Sequence, residues 1–508
     1  MTEKSADPQM TRRAWMRPSA LGCASALTVL ALICAFVLEL RFSGLSTERI
    51  LIDQTPVTLY RLSDSAPLPP VVIAHGFGGS RQMMDQIAVS LARQGFHVAS
   101  VDLPGHGRNG TKLSPDISTL DGTTAQLVEV IERVAMAISD RSDTDGPISF
   151  VGHSMATDVV IRAAQSHPDV GAVVAISMYS PAVTQTAPTA LLILSGATES
   201  HLRMAGLNAV RLLDPSATEG KTVTRDGTIR RTAVAPLVGH VGVLYAPKSL
   251  HETTSWIRNT LERGSQARLD WTGWVAGVLL CALVFVVWPL SKLIPARTPA
   301  PSQHVKPRTF LACLLLPIPA AIAIGALPVF GISGNAAFGT LGLILGVWGM
   351  IQLAVLYRSG ARPGRPDLVG AALYLGFALV FALALDRYGA SFVPAGERAI
   401  VMAGLLLGTL PLMIADTMLT QRASILRRIL ARLSLLIALS GAMALAPSDL
   451  GLAFTTVPVL VLFFLVYGTM ARWIVKRRGP QSVSIAKGVV LAWAFAASTP
   501  LFATAIAG

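Results

Sequence analysis

The residues of this chain that could do chemistry are a serine, a histidine and the glycine-rich turns around them. Ser154 is the centre of the pentapeptide GHSMA at 152–156, and His240 lies in the turn GHVG at 239–242. A sharp turn from strand to helix lifts a serine oxygen above the sheet and needs small neighbours. A histidine that removes the hydroxyl proton makes that oxygen a nucleophile. Alone, the pentapeptide is equally typical of a serine that caps a helix.

Both residues need a scaffold, and the surrounding sequence predicts one. Six short segments are apolar and often β-branched, which is typical of buried strands; they are 71–74, 98–101, 148–151, 172–176, 191–194 and 232–238. Between them apolar residues recur with helical spacing; examples are Leu127, Ile131, Val134 and Ile138, and Met84, Ile87, Ala88 and Leu91. A final helix is predicted around 255–261. Alternation of this kind predicts an α/β fold with a mostly parallel sheet covered by helices on both faces.

Several motifs occur in order at the ends of these segments. The turn HGFGGS at 75–80 follows the first predicted strand, DLPGHGR at 102–108 follows the second, and GHVG follows the last. With the serine turn they make residues 48 to 263 resemble the α/β-hydrolase superfamily, in particular its lipase, esterase and thioesterase-like members. The resemblance implies an α/β-hydrolase fold and a serine hydrolase that needs no cofactor.

The resemblance also implies roles for individual residues. Ser154 would be the nucleophile and His240 the general base. The order of this superfamily is serine, acid, histidine, so the acid is expected after a strand between the two. Glu199, at the end of the turn GATE at 196–199, is the first choice, with glutamate where the family usually has aspartate. Asp214 and Asp226 remain the alternatives, and Glu199 could instead be a solvated loop carboxylate.

An oxyanion hole is implied as well, formed by the backbone N–H groups of Phe77 and Met155. Such a donor contributes on the order of 3 kcal/mol to transition-state stabilisation. Ala156 stands where the family usually has glycine, which adds one methyl group where the following helix packs on the strand. Three further histidines are interpreted as loop or site-wall residues without a catalytic role: His75, His106 and His153.

The composition of the 508 residues places much of the chain in lipid. Apolar residues make up 52% and charged residues only 14%, too few for the surface of a soluble protein of this size. The net charge of +13 is not spread evenly, because 43–268 carries 19 basic and 20 acidic residues. Nucleic-acid binding is therefore not expected. All four cysteines lie in apolar runs, so no disulfide framework is predicted: Cys23, Cys34, Cys281 and Cys313.

Apolar runs long enough to span a membrane begin at 20–40, where a signal peptide is the competing interpretation. Eight more follow, at about 270–290, 309–330, 334–356, 368–386, 399–420, 429–447, 450–471 and 485–506. We expect a cytoplasmic segment 1–19, a transmembrane helix 20–40, an extracytoplasmic hydrolase domain 41–268 and an all-α transmembrane bundle 269–508.

The orientation follows from the basic residues. With the N-terminus in the cytoplasm, the inside segments carry 20 basic residues and the short outside loops only Arg387 and Arg398. Basic residues concentrate in cytoplasmic loops. The sequence therefore predicts a multi-pass protein of a cell membrane, with bacterial inner membrane favoured, whose hydrolase domain faces the periplasm or the exterior. Its predicted partners are an ester or lipid substrate and membrane lipids.

The function predicted from these observations is hydrolysis of carboxylic esters, lipid-like or short acyl, with thioesters also open. A serine peptidase of the same fold is an alternative. So is a transporter or receptor with a catalytically silent hydrolase domain. No H-E-x-x-H, paired C-x-x-C or phosphate-binding G-x-x-x-x-G-K-[ST] motif is present, so neither metal nor nucleotide is expected. The stretch 177–189 is too short for the helical lid that many relatives carry there, which predicts an open cleft.

Overall fold

The computed structural model describes residues 19–297, 305–327, 331–332, 336–421, 423–445 and 456–503. The predicted cytoplasmic segment, apart from Ser19, lies outside these ranges. The described residues form two parts. Residues 45–261 make up a unit that we call the α/β domain, and the apolar helices before and after it make up the helical region.

A nine-stranded sheet is the centre of the α/β domain. Its strands are β1 (Leu45–Ile52), β2 (Thr55–Leu62), β3 (Pro70–Ala74), β4 (His97–Val101), β5 (Ile148–His153), β6 (Val170–Ile176), β7 (Ala190–Gly196), β8 (Thr222–Arg225) and β9 (Thr228–Ala235). The spatial order is β1-β2-β4-β3-β5-β6-β7-β9-β8. The six central strands are parallel, while β1, β2 and β8 are antiparallel to their neighbours. The predicted mostly parallel α/β fold is confirmed.

Helices cover both faces of this sheet. In chain order they are α2 (Asp85–Arg93), α3 (Ala125–Ser139), α4 (Met155–Ser166), α5 (Ser200–Arg211) and α6 (Pro247–Leu261), after α1 (Ala20–Leu40), which belongs to the helical region. Apolar residues of α3, α4 and α5 pack on one face, and those of α2 and α6 on the other. The periodic residues of α3 are all buried, from Leu127 to Ile138. Burial on both faces explains why the central strands are continuously apolar.

The helical region contains eight described helices that are long and apolar enough to cross a membrane. Besides α1 they are α7 (Gly273–Leu293), α8 (Pro307–Gly325), α9 (Ala337–Arg358), α10 (Leu368–Tyr388), α11 (Glu397–Thr420), α12 (Ile425–Leu445) and α13 (Thr456–Arg478). α1 packs against α7, and a large apolar cluster joins the later helices. The all-α bundle expected from the apolar runs is therefore present, with boundaries shifted by a few residues.

The last of the nine predicted spans differs from the prediction. The final apolar helix, α14 (Ser484–Ser498), has 15 residues and is about 22 Å long, which is shorter than a hydrocarbon core of roughly 30 Å. Lys487, which falls within the predicted run 485–506 but was counted among the 20 basic residues of the inside segments, lies inside α14 and is buried. Its Nζ is 2.6 Å from Oδ2 of Asp416 in α11. This ion pair satisfies the buried charge and allows the helix to begin before the lysine.

The ends of α10, α11 and α14 contact the α/β domain directly. Arg108, in the loop after β4, lies 2.7 Å from Asp386 at the end of α10. The backbone N–H of Ser391 donates to Oγ of Ser80, in the turn after β3, at 2.9 Å. Residues beyond α14 pair with the loop that follows β4. The helical region therefore contacts the edge of the sheet from which the motif-bearing turns emerge.

Candidate active site

Ser154 occupies a strained turn between β5 and α4. Its backbone has φ 52° and ψ −119°, a left-handed conformation that costs a non-glycine residue roughly 1–3 kcal/mol. A Cβ on Gly152 would lie 2.5 Å from the carbonyl oxygen of Ala156, so only glycine fits there. The methyl group of Ala156 is fully buried and is accommodated in the core. The small residues predicted from the motif are therefore required by the close approach of the two backbone segments.

His240 lies beside this serine. The strand before it ends at Ala235, three residues earlier than predicted, and the chain then turns through residues 236–241. Nε2 of His240 is 2.8 Å from Oγ of Ser154. Nδ1 of the same ring is 2.6 Å from Oε1 of Glu199. The three residues thus form one continuous hydrogen-bonded chain from carboxylate to hydroxyl.

Glu199 lies in the turn after β7, and hydrogen bonds from several residues fix its side chain. Its side chain is only 7% exposed. Its Oε2 accepts hydrogen bonds from the N–H of Gly196 at 2.6 Å and from Oγ of Ser177 at 2.8 Å. Ser177 was not singled out in the sequence. Its positive φ, 54°, at the end of β6 is a conformation that no sequence pattern indicates for a serine.

The two alternatives for the triad acid, Asp214 and Asp226, have carboxylates that contact residues other than His240. Asp214 accepts hydrogen bonds from the backbone and hydroxyl of Ser216. Asp226 lies in the turn between β8 and β9, and its side chain is 87% exposed beside Arg225. The hydrogen-bonding carboxylate beside His240 is that of Glu199.

The contacts of Glu199 keep its carboxylate ionised. Burial tends to raise the pKa of Glu199, but the hydrogen bonds from His240, Gly196 and Ser177 outweigh burial and hold the pKa below its usual range. An ionised Oε1 can only accept, so Nδ1 of His240 carries the proton. Nε2 is then the acceptor for the hydroxyl of Ser154, which is the arrangement that a general base needs.

The glycine-rich turn after β3 passes directly against Ser154. A Cβ on Gly76 would lie 2.9 Å from Cβ of Ser154, which shows how closely the two segments approach. Phe77 follows in this turn. Met155 is the first residue of α4, where a backbone N–H has no acceptor within its own helix. Both residues proposed for an oxyanion hole therefore adjoin the serine.

His153 has a role in the site that the sequence did not reveal. Its Nε2 is 2.9 Å from the backbone oxygen of His240, and the two rings lie 5.0 Å apart. Burial lowers the pKa of His153 to about 4, so the ring is neutral at pH 7 and its Nε2–H donates. His153 therefore fixes the backbone of the turn that carries His240.

His75 and His106 form hydrogen bonds within loops, as the sequence predicted. Nε2 of His75 accepts the backbone N–H of Leu103 at 3.2 Å, and its Nδ1–H donates to the oxygen of Gly76 at 2.8 Å. Nδ1 of His106 bonds the oxygen of Pro104 at 2.8 Å. Burial lowers the pKa of both rings. Together they join the turn after β3 to the loop after β4.

Residues that follow the last apolar helix support the turn of Phe77 and the loop after β4. The ring of Phe502 lies 6.4 Å from that of Phe77. Leu501 pairs with the loop after β4 by bonds to Gly105 and Leu113, both 2.9 Å long. No sequence motif marks this segment. Residues 177–189 contain no helix, and the side chain of His240 is 46% exposed, so solvent reaches the triad.

Within the described ranges, no group of three His, Cys, Asp or Glu side chains is placed to hold a metal ion.

Comparison with known families bears on this site. Residues 65–266 match a family model described as serine aminopeptidase S33, a hydrolase family. The match begins just before β3 and ends after α6, so it covers every element that carries a predicted site residue. Residues 65–266 therefore form a domain of the α/β-hydrolase superfamily. The α/β-hydrolase domain accounts for about two fifths of the protein, and the match does not extend into the later helices.

Two curated relatives resemble parts of the α/β-hydrolase domain. A putative non-heme haloperoxidase of Mycobacterium phage D29 is 32% identical over 99 residues, 20% of this chain and 32% of its own. The sn-1-specific diacylglycerol lipase ABHD11 of Danio rerio is 29% identical over 170 residues, 33% of this chain and 49% of its own. The chain thus spans a third to a half of the length of these relatives.

Solved structures also resemble the domain. A dienelactone hydrolase from Anabaena variabilis has a TM-score of 0.35 at 17% identity, covering 43% of this chain and 99% of its own. A membrane phospholipase A, described as a bacterial virulence factor, has a TM-score of 0.32 at 16% identity, covering 46% of this chain and 92% of its own.

Proposed function

We propose that this α/β-hydrolase is a membrane-bound serine esterase that cleaves carboxylic esters. Ser154 is the nucleophile, His240 the general base and Glu199 the acid that orients the histidine. The observation that carries this proposal is the continuous chain of hydrogen bonds from Glu199 through His240 to Ser154, with distances of 2.6 and 2.8 Å. A silent relative of the fold would have no need to keep both contacts.

The reaction proceeds through an acyl-enzyme. As Oγ of Ser154 attacks the ester carbonyl, its proton passes to Nε2 of His240, and Glu199 stabilises the imidazolium that forms. The N–H groups of Phe77 and Met155 stabilise the oxyanion. His240 then gives its proton to the leaving alcohol. A water molecule, activated by the same nitrogen, hydrolyses the acyl-enzyme and returns Ser154 to its starting state.

A lipid-like or short acyl ester is the substrate class we favour. The segment 177–189 contains no helix that must move before an ester enters, and the partly exposed ring of Phe77, which packs on the buried ring of Phe502, offers an apolar surface to an acyl chain. One partial relative is named as a diacylglycerol lipase. The domain is tethered at both ends, to α1 and to α7, which holds the cleft near a membrane and raises its effective concentration toward lipids.

We further propose that the hydrolase domain lies outside the cytoplasm, with the N-terminus inside. The helix ends that contact the domain include Asp386, Ser391 and Arg398, the stretch that the charge pattern assigns to the outside. At the other end of the bundle, Arg478 pairs with Asp367 at 2.7 Å, in the segments assigned to the inside. The segregation of basic residues and the placement of the domain therefore support one orientation.

A peptidase is the second candidate, because the matching family model is described as a serine aminopeptidase. The same nucleophile, base and oxyanion hole cleave amides. A panel of ester, thioester and amide substrates distinguishes the two. The full chain should be used, since Phe502 and Leu501 contribute contacts that the domain alone lacks.

The test of the site is labelling with a fluorophosphonate, which reacts only with an activated serine. Ser154→Ala should abolish both labelling and hydrolysis, and His240→Ala should do nearly the same. The matched control is Ser166→Ala, at the exposed far end of α4. Labelling that persists in Ser154→Ala would refute the assignment of the nucleophile. No labelling of the wild-type protein would favour a transporter or receptor with a silent domain.

A further inference from the structure

A cavity of about 320 Å³ lies where the α/β-hydrolase domain meets α1 and α10, separate from the serine site. Its size falls within the usual range of small-molecule sites, roughly 300–1,000 Å³. Edge strands β1 and β2 form one side, with Arg49 and Tyr60, and the ends of the two helices form the other, with Glu39 and Arg387. We call it the interface cavity. Nothing in the proposed ester hydrolysis uses it.

The carboxylates of the interface cavity already have cationic partners. Each of the three that line it contacts one arginine at 2.7–3.0 Å; the pairs are Glu39 with Arg387, Asp85 with Arg41, and Asp386 with Arg108. Asp85 also accepts a hydrogen bond from the hydroxyl of Tyr60 at 2.8 Å. These carboxylates therefore leave little capacity for a cationic ligand.

Two arginines of the cavity keep unused donors. No ion pair to Arg49 is formed by any residue in the described ranges. Arg81 is 7% exposed, and its Nη1 has no hydrogen-bond partner although Asp102 lies 3.3 Å away. A buried donor without a partner is costly. Both side chains line the same cavity. The Arg49 side chain is exposed and can donate to a ligand there, whereas Nη1 of Arg81 is enclosed by protein beside Asp102, so Arg81 contributes its positive charge.

The charges around the cavity leave one positive charge in excess. Five guanidinium groups, Arg41, Arg49, Arg81, Arg108 and Arg387, face four carboxylates, Glu39, Asp85, Asp102 and Asp386. Guanidinium groups bind phosphate oxygens with paired, charge-assisted hydrogen bonds. A phosphodiester carries one negative charge and several acceptor oxygens, which matches both the excess charge and the unused donors.

The position of the cavity favours a lipid as the source of the phosphate. It lies at the end of α1, next to the point where the chain enters the soluble domain. Below it, Leu32, Phe36 and Leu40 are 65%, 64% and 48% exposed. Their spacing of four residues places them on one face of the helix. Acyl chains can lie along this apolar face while the headgroup occupies the charged cavity.

We propose that the interface cavity binds the phosphate of an anionic phospholipid headgroup. This inference rests on the membrane placement proposed above, but not on the chemistry of Ser154. Arg49 donates to the phosphate, and Arg81 and the other paired arginines fix the walls around it. A bound headgroup would join β1, α1 and α10, and so would hold the domain against the bundle.

The test uses the purified full chain in detergent, titrated with phosphatidylglycerol and, separately, with inorganic phosphate, and followed by native mass spectrometry. Arg49→Gln should weaken binding about tenfold, as expected for loss of one charge-assisted contact. The matched control is Arg225→Gln, an exposed arginine on β8 at the opposite edge of the sheet. It should leave binding unchanged. Arg49→Glu should abolish binding.

The two titrations distinguish the source of the phosphate. Arg49-dependent binding of phosphatidylglycerol supports a lipid site, whereas the same dependence for inorganic phosphate alone supports a site for soluble phosphate. Equal affinity in wild type and Arg49→Glu, or an equal loss in Arg225→Gln, overturns the proposal. Fluorophosphonate labelling of the same samples reports on Ser154 independently, so failure of the proposed hydrolase and failure of the headgroup site give different results.

Discussion

Arg398 is the residue through which we expect the helical region to control catalysis. It is 5% exposed, and its guanidinium donates to the backbone oxygens of Gly105, Ala496 and Thr499 at 2.6–2.8 Å. One side chain thus joins the loop after β4 to the end of α14. Arg398→Met keeps the length and the apolar stem of the side chain but removes all three hydrogen bonds.

The expected effect follows from what that loop contacts. Leu103, near Gly105, donates to His75 in the turn that carries Phe77, and the ring of His106 lies 5.4 Å from that of Phe77. Loss of a single oxyanion donor lowers kcat by roughly 10²–10³. Arg398→Met would displace Phe77 without removing its N–H, so we expect kcat to fall about 10- to 100-fold. KM should change little, because the open side of the cleft is untouched.

The assay is steady-state hydrolysis of a short-chain ester by the full chain in detergent, with the fluorophosphonate labelling rate as a second readout. Arg478→Gln is the control, since it breaks a paired arginine at the other end of the bundle. Phe502→Ala removes only the ring that packs on Phe77, and should give a smaller fall in the same direction. An unchanged kcat in a folded Arg398→Met protein, or an equal fall in Arg478→Gln, would show that the reasoning is wrong.

Three further predictions concern stability, access and topology. Burial holds the pKa of His153 near 4, whereas an unfolded histidine titrates near 6.5. The free energy of unfolding should therefore keep its full value above about pH 6.5 and fall by about 3 kcal/mol toward pH 4. The melting temperature of His153→Gln should depend less on pH than that of the wild type. Because residues 177–189 form no helix, a short-chain ester should be hydrolysed without a rate jump at its solubility limit, and a sharp jump there would reveal another lid. A reporter active only outside the cytoplasm should work when fused after Arg268 and fail after Arg308 or Arg478. If the fusion at Arg268 proves to be cytoplasmic, the proposed orientation is wrong.

The parts of the site that the sequence predicted are those fixed by local chemistry. The turn around Ser154 needs small residues because two backbone segments touch, and this requirement is visible as a motif. Glu199 and His240 follow strands whose ends meet at one edge of a parallel sheet, so their approach could be expected from order alone. The structure brings these three residues together as the motifs implied.

The parts that could not be predicted depend on contacts between distant segments. Strands β1 and β8 are at the edges of the sheet, where alternation is weak and burial partial, and β2 pairs with β1. The hydrogen bond from His153 to the backbone of His240 depends on the course of a turn 87 residues away. The sequence does not show that Lys487 is buried in a helix, because its ion-pair partner, Asp416, lies in another helix. Nothing local to any of these residues carries the information.

The contact between Arg398 and Gly105 also sets an order of events during synthesis. The two residues are 293 positions apart, and at about 5–20 residues per second the intervening chain takes roughly 15 to 60 s to make. For the later part of that time, the 158 residues from His240 to Arg398, the serine, the glutamate and the histidine have already been synthesised, but the loop beside the oxyanion turn still lacks its guanidinium. A nascent chain would therefore contain its catalytic residues before the loop beside the oxyanion turn is fixed by Arg398. Full activity would appear only once the later helices are in place.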